Sequence, residues 1–511
     1  MSKRRLLAAS VLWGLASGAL AQPVAPPDDD AADDPPIIQP APDAPDTPGT
    51  VGARLAYAQS QAEAEGGDCA QRLAAAQAQR DLAAASPLVD LVVPAGRARL
   101  ASIDYRLHLG RAYCGNHAAP RQEELRAALD AAQSAVSLFR QGYDYQSMAV
   151  MQYDVASTYR LLGDRDQAIA TLTSALGMDA EFGFAADATE NGDLLRRWQD
   201  QPAAAPAAVA TPRSVTLKFA WAPAEAEVSL KADYLALVKG AVLRSTASAA
   251  RTRHVRADGD GWILSSEPGE RHYDFDGWHS RPDPSLERTL VALAAGQMLE
   301  PDIKVGATGD FKDVVDAAKT SGMVAGDIDT VTGDLSLPEE EKSLDLTALY
   351  GRSVEMLSEP DGLRAKAGAD YAIATSTWID ATLVQGEWYD MTASLFVPAI
   401  AMWIDHDIQF AYSRPMPCTD GAAGTACAEI LVHATPNADA LSKKIGYMKR
   451  ALALGQAKMR YESAMDLRLV VDPARLLPYA SEVRAHWYLS IEGRGEPLIG
   501  SETLVSTYTY R

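Results

Sequence analysis

The stretch AVMQYDVASTYRLLGDRDQAIATLTSALGMDAEF, residues 149–182, reads as two short helices folded back on each other. Ala156, Tyr159, Gly163, Ala168, Leu172 and Ala175 place small or apolar side chains at spacings of three, four and five. Small residues where two helices cross let the backbones approach, and Tyr159 and Leu172 fill the space beside them. Gly163-Asp164 supplies the turn, because glycine tolerates the left-handed geometry that closes a helix. One hairpin of this kind cannot bury its apolar face alone, so similar neighbours are expected beside it.

Working outward, residues 51–200 are rich in Ala, Leu, Gln and Arg and poor in β-branched runs, a composition that favours helix. Helices are predicted near 52–65, 68–85, 95–114, 121–141, 146–162, 165–178 and 190–199. Leu109-Gly110 and Tyr113 take the places of Val155-Ala156 and Tyr159. Ala128, Ala132 and Ala135 then repeat the spacing of Ala168, Leu172 and Ala175. The pattern resembles a tetratricopeptide repeat, a helix–turn–helix unit of about 34 residues found mostly in interaction scaffolds. The resemblance is good over 149–182. Over 103–137 it is degenerate, with about six extra residues around Gly115-Asn116-His117.

The resemblance implies a stack of hairpins whose inner face is lined by the first helix of each unit. Carried over residue by residue, that gives Asp104 and Arg111 in the earlier copy, and Tyr153, Ser157 and Arg160 in the later one. The Lys/Asn set with which some members clamp a terminal carboxylate is absent. A general protein-docking groove is therefore implied, and a peptide-tail receptor is not.

The flanks speak to location. Lys3-Arg4-Arg5, the apolar run from Leu6 to Leu20 and the small-x-small site Ala19-Leu20-Ala21 have the layout of a secretory signal peptide over 1–21. No later run is apolar enough to span a bilayer; Leu395 to Ile404 is the nearest, at about half the required length. An exported periplasmic protein without a membrane span is expected. Residues 22–50 hold nine prolines and seven aspartates with no Lys or Arg, and read as an acidic tether. A net charge of −21 argues against nucleic acid as the main partner. Four cysteines in an exported chain invite disulfides. They allow three connectivities; Cys418 with Cys427 would staple a hairpin, leaving Cys69 with Cys114 in the helical region.

Residues 201–213 form an Ala/Pro-rich linker, and 214–511 read differently. Val215, Leu217, Phe219 and Trp221 alternate with smaller or polar residues, the period of a half-buried strand. Asp258-Gly259-Asp260-Gly261 is a hairpin turn. The runs 483–491 and 504–510 alternate on either side of a turn at 493–497, and 467–471 is a strand stopped by Asp472-Pro473. Helices are expected near 285–299, 309–320, 340–357 and 439–457. The whole predicts a multidomain chain: an all-α repeat domain followed by an antiparallel α+β domain.

No motif for a reaction emerges. GxSxG, HExxH and GxxxxGK[ST] are all absent, and no catalytic residue, cofactor or metal is assigned. His272, Asp274 and Asp276 would share one strand face near His279, which a metal site could use, but a polar turn at a strand end accounts for the same residues and is the reading taken. Asp405-His406-Asp407 points to alternating faces. Asp258-Gly-Asp260-Gly opens like a calcium loop, but Trp262 and Ile263 stand where oxygens are required. Trp378, Trp388, Tyr389, Phe396 and Trp403 concentrate aromatics within 26 residues. Two functions follow. The first is non-enzymatic docking of a protein on the helical repeats. The second is a carrier or sensor of an apolar small molecule, in a cavity around Trp378, Trp388 and Trp403.

Overall fold

A computed structural model describes residues 69–84, 94–113, 121–199, 213–238, 241–276, 301–322, 359–397, 402–418, 426–451, 457–493 and 497–511. The expected signal peptide, the acidic tether, the helices at 52–65, 285–299 and 340–357, nearly all of the Ala/Pro linker, Cys114 and the side chain of Cys69 lie outside them. The chain divides into a helical unit ending at Arg213 and a sheet unit spanning Ser214–Arg511.

Six helices of the first unit lie among the described residues: α1 (Cys69–Ala84), α2 (Pro94–Tyr113), α3 (Gln122–Gln141), α4 (Tyr145–Leu161), α5 (Arg165–Phe182) and α6 (Ala185–Trp198). Two of the connections are built alike. In Gly142-Tyr143-Asp144 and Leu162-Gly163-Asp164 the middle residue has positive φ, 59° at Tyr143 and 86° at Gly163. The aspartate then caps the next helix, accepting from the backbone N–H of Ser147 or Gln167. Its own N–H reaches back to Phe139 or Tyr159. So short a turn folds the chain back on itself. Tyr145 at the start of α4 accordingly stacks on Phe182 at the end of α5, with ring centroids 4.2 Å apart. Arg165 at the start of α5 donates to the carbonyl of Trp198 at the end of α6.

Alanines set the spacing between these helices. Ala128, Ala132 and Ala135 of α3 are fully buried against Tyr105 of α2 and Met151 and Val155 of α4. Ala156 of α4 meets Leu172 of α5 and Leu195 of α6.

Among the described residues the sheet unit is built on an antiparallel sheet of eleven strands, flanked by helix and irregular chain. Its strands are β2 (Ala224–Val238), β3 (Ala241–Asp258), β4 (Gly261–Asp276), β5 (Ile303–Val305), β6 (Phe311–Val314), β8 (Trp388–Val397), β9 (Met402–Pro417), β10 (Ala426–Pro436), β11 (Met459–Val471), β12 (Pro478–Ile491) and β13 (Leu498–Tyr510). They lie in the order β6-β5-β4-β3-β2-β13-β12-β11-β10-β9-β8. The chain's last strand thus sits at the middle, pairing β12 on one side and β2 on the other. Two short strands, β1 (Ser214–Thr216) and β7 (Thr382–Val384), pair separately. Among the described residues the unit also holds helices α7 (Pro360–Ala374) and α8 (Ala438–Ala451).

One face of the sheet is covered. Ile408, Ile430, Val432, Leu467 and Leu469 point to it and form a core with Trp378, while Val255, Ile303 and Val305 pack with Leu363, Ala367 and Tyr371 of α7. The other face alternates with it, and Asp405, Asp407 and Gln409 on β9 are exposed there.

Expectation and structure part in two places. The alternation at 215–221 gives strand only to Thr216; beyond it Leu217 bonds Ala381 and Lys218 bonds Pro473 as irregular chain, with Leu217 and Trp221 buried. The helix expected at 309–320 is replaced by a tight turn at Gly309, strand β6 and a helix that starts at Ala317. As expected, no helix among the described residues is long and apolar enough to cross a membrane; of the apolar run Leu395–Ile404, residues 395–397 lie on β8 and 402–404 on β9. The staple is present: Cys418 and Cys427 form a disulfide, buried with Val470 and Tyr479.

At the middle of the sheet Gly500 is paired with Trp487, and a Cβ at Gly500 would lie 2.2 Å from the indole ring. Gly500→Ala is expected to cost about 1–3 kcal/mol by overpacking. Gly177→Ala in α5, where a Cβ meets nothing within 4 Å, should be neutral or stabilise by up to about 1 kcal/mol. Urea midpoints of the two variants check the contrast.

Candidate functional site

The five expected docking residues separate into two groups. On α2, Asp104 accepts from Arg80 Nε at 2.6 Å and Arg111 donates to Gln77 Oε1 at 3.2 Å. Both contacts tie α2 to α1, so these side chains are used within the helical unit. On α4, Tyr153 and Arg160 are exposed and Ser157 is half-buried. Spacings of three and four put them on one stripe of the helix with Val150 and Leu161. Val150 is 48% exposed, Tyr153 37% and Leu161 41%. Only Leu82 and Trp388 join them as exposed large apolar side chains among the described residues.

Below the stripe lies a polar contact between α2 and α4 that no motif announces. The buried Tyr105 hydroxyl bonds the Asp154 carboxylate. Burial lifts Asp154 to about 6, with the Tyr105 hydrogen bond and the nearby Arg106 working against the rise. Tyr105 is itself pushed up, first by burial and then by the charge of Asp154. A second buried acid, Asp179 of α5, is also lifted to about 6 by burial, although Asn191 of α6 donates to it at 2.7 Å.

The three tryptophans proposed to line a cavity are not brought together. Trp378 is buried on the covered face of the sheet, edge-on to Phe410 at 5.0 Å, its indole N–H donating to the Ile373 carbonyl. Trp388 pairs with Ala411 and Trp403 with Phe396, which sets both on the opposite face. Trp378 therefore has no wall in common with them.

That opposite face carries a feature assembled from the whole unit. Asp390, Gln409, His433, Asp466, Arg484, Thr503, Asp233 and Thr246 are successive cross-strand partners, so one polar row crosses eight strands. Within it Gln409 donates to Asp390 at 3.1 Å, and His433 Nδ1 lies 2.6 Å from Asp466. His486 lies buried beside this pair; burial pushes its imidazole down to about 4, Asp466 opposing the fall and His433 adding to it. Next to the row, Arg414 and Arg468 both donate to the fully buried Glu429, at 3.0 and 2.6 Å. These charges are paired across strands, as a half-solvated sheet face requires. On the covered face the Glu502 carboxyl is raised by burial, the Tyr234 hydroxyl donating to it at 2.8 Å.

His272 and Asp274 do stand on one face of β4, and the His272 side chain is 74% exposed. Among the described residues, no group of three or more His, Cys, Asp or Glu side chains converges as a metal site. No protein-family model matches the chain, and comparison with the curated proteins finds no match.

The Tyr105–Asp154 contact has a pH signature. A carboxyl whose pKa is higher folded than unfolded holds its proton longer in the folded chain, so it destabilises once pH rises through the folded value. Asp154→Asn keeps an acceptor for Tyr105 and removes the buried charge. At pH 7.5 the variant should be more stable by about 1–2 kcal/mol, after discounting for partial exposure. At pH 3.5 the difference should vanish. Thermal melts at the two pH values read this directly, and an equal difference at both would contradict it.

Proposed function

We propose that this is an exported interaction protein, periplasmic by its signal-like N-terminus, whose tetratricopeptide-like helical stack docks a protein partner along α4. The observation that carries the reading is the outward stripe of Val150, Tyr153, Ser157 and Leu161 with Arg160 at its side. An amphipathic helix normally turns such residues inward. Here the inward side is already filled by Tyr145, Met148, Met151, Val155 and Ala156, so the stripe is surplus to packing. A half-exposed tyrosine next to an arginine is the composition of an interface anchor. The repeated turn, the buried alanines at the crossings and the helix order support the resemblance to tetratricopeptide units. Asp104 and Arg111 drop out of the docking set because α1 holds them.

The sheet unit adds rigidity suited to the exterior of the cell. Its Cys418–Cys427 bridge closes a short connection and limits the unfolded chain.

Combined Tyr153→Ala and Arg160→Ala substitution should reduce capture of the partner from a periplasmic extract at least fivefold, with the helical content of the protein unchanged. Substitution of Asp390 and Gln409 on the sheet should leave capture as it is. Equal capture by wild type and by the α4 variant would remove the reading.

A further inference from the structure

The α4 stripe is bordered by exposed cations. Arg160 is exposed on α4, and Arg99 and Arg106 are exposed on α2, seven residues apart and so on one face of that helix. None of the three forms an ion pair among the described residues. Arg106 is close enough to Asp154 for its charge to be felt there, and its neighbour Tyr105 packs with Met151 and Val155 of α4. In a chain of net charge −21 this is an unusual surface, combining three exposed guanidinium groups with one tyrosine and two apolar side chains.

The same chain carries a segment of complementary chemistry. Residues 22–50 include Asp28-Asp29-Asp30 and Asp33-Asp34, then Pro35-Pro36-Ile37-Ile38, with no Lys or Arg. We propose that this acidic, proline-rich segment docks in cis on the α2–α4 surface and competes with the partner for it. The aspartates would face Arg99, Arg106 and Arg160. The prolines and the two isoleucines would lie on Tyr153, Val150 and Leu161, as proline-rich chains do on aromatic-lined surfaces. The dimensions agree. An extended chain rises about 3 Å per residue, so five aspartates over six steps span about 19 Å. Arg99 and Arg106 are about 10 Å apart along α2, and Val150 and Leu161 about 16 Å along α4. Residues 47–68 separate the last aspartate of the segment from α1; even with the helix expected over 52–65 they can reach about 45 Å, more than the length of α2. Covalent tethering gives an effective concentration near the millimolar range, so weak contacts suffice. The inference rests on the docking reading above and adds its regulation.

The test uses the full chain from residue 22 with a photoreactive benzophenone amino acid at position 153, and separately at position 150. After irradiation, mass spectrometry should find cross-links from both positions to residues 22–50 of the same molecule, at a yield independent of protein concentration. Combined Arg99→Glu, Arg106→Glu and Arg160→Glu should lower that yield at least fivefold, as should 1 M NaCl. Cross-links that miss residues 22–50, that join two copies in a concentration-dependent way, or that survive charge reversal would overturn the proposal. None of these outcomes involves the partner, so the docking reading stands or falls separately on the capture experiment.

Discussion

Close approach of neighbouring helices at alanine is the constraint on which the helical unit depends. Ala128, Ala132, Ala135, Ala156, Ala168 and Ala175 have no exposed surface, which means the facing helix touches their backbone. At that distance dispersion contacts are dense, and a larger side chain has no volume to occupy. The consequence reaches the surface. Held by Ala149 and Ala156 on one side and by Met151 and Val155 on the other, α4 has a single rotational setting. That setting turns Val150, Tyr153 and Leu161 outward. The docking stripe is thus a product of the packing beneath it.

Much of this is legible in the chain. The Gly163-Asp164 turn, the alanine spacing and the helix positions agree to within a few residues, because helix periodicity and capping are local properties. The twin turn at Tyr143 is hidden, since a tyrosine at positive φ carries none of the signal that glycine does. On the sheet side, the β12–β13 hairpin and the Asp258–Gly261 turn follow from alternation and turn chemistry. The alternation of 215–221 misleads because it records burial of Leu217 and Trp221 in irregular chain, and burial alternates without any ladder. The short β6 shows the reverse: Phe311–Val314 is too brief for any period to register.

The sites divide in the same way. A stripe on one helix is written in one stretch of sequence, so Tyr153, Ser157 and Arg160 are found by counting. The engagement of Asp104 and Arg111 with α1 is not, because it depends on which helix lies beside α2. The polar row from Asp390 to Thr246 is further from view. It joins residues more than 250 positions apart in sequence, such as Asp233 and Thr503, and exists only once the register of eight strands is set. The tryptophans fail as a group for the same reason: proximity in sequence says nothing about which side of a sheet each will face.

If the helical unit is held at its alanine crossings, then enlarging one of them should matter more than any change to the surface above it. Ala156→Leu places three carbons into the contact with Leu172 and Leu195. Thermal unfolding followed by circular dichroism at the helical band is the direct measurement. The account predicts a lowered helical transition for Ala156→Leu, by several degrees, and none for Ser157→Leu one residue away. Equal melting of Ala156→Leu and wild type would show that the helices do not meet where their alanines place them, and the orientation of α4 would lose its cause.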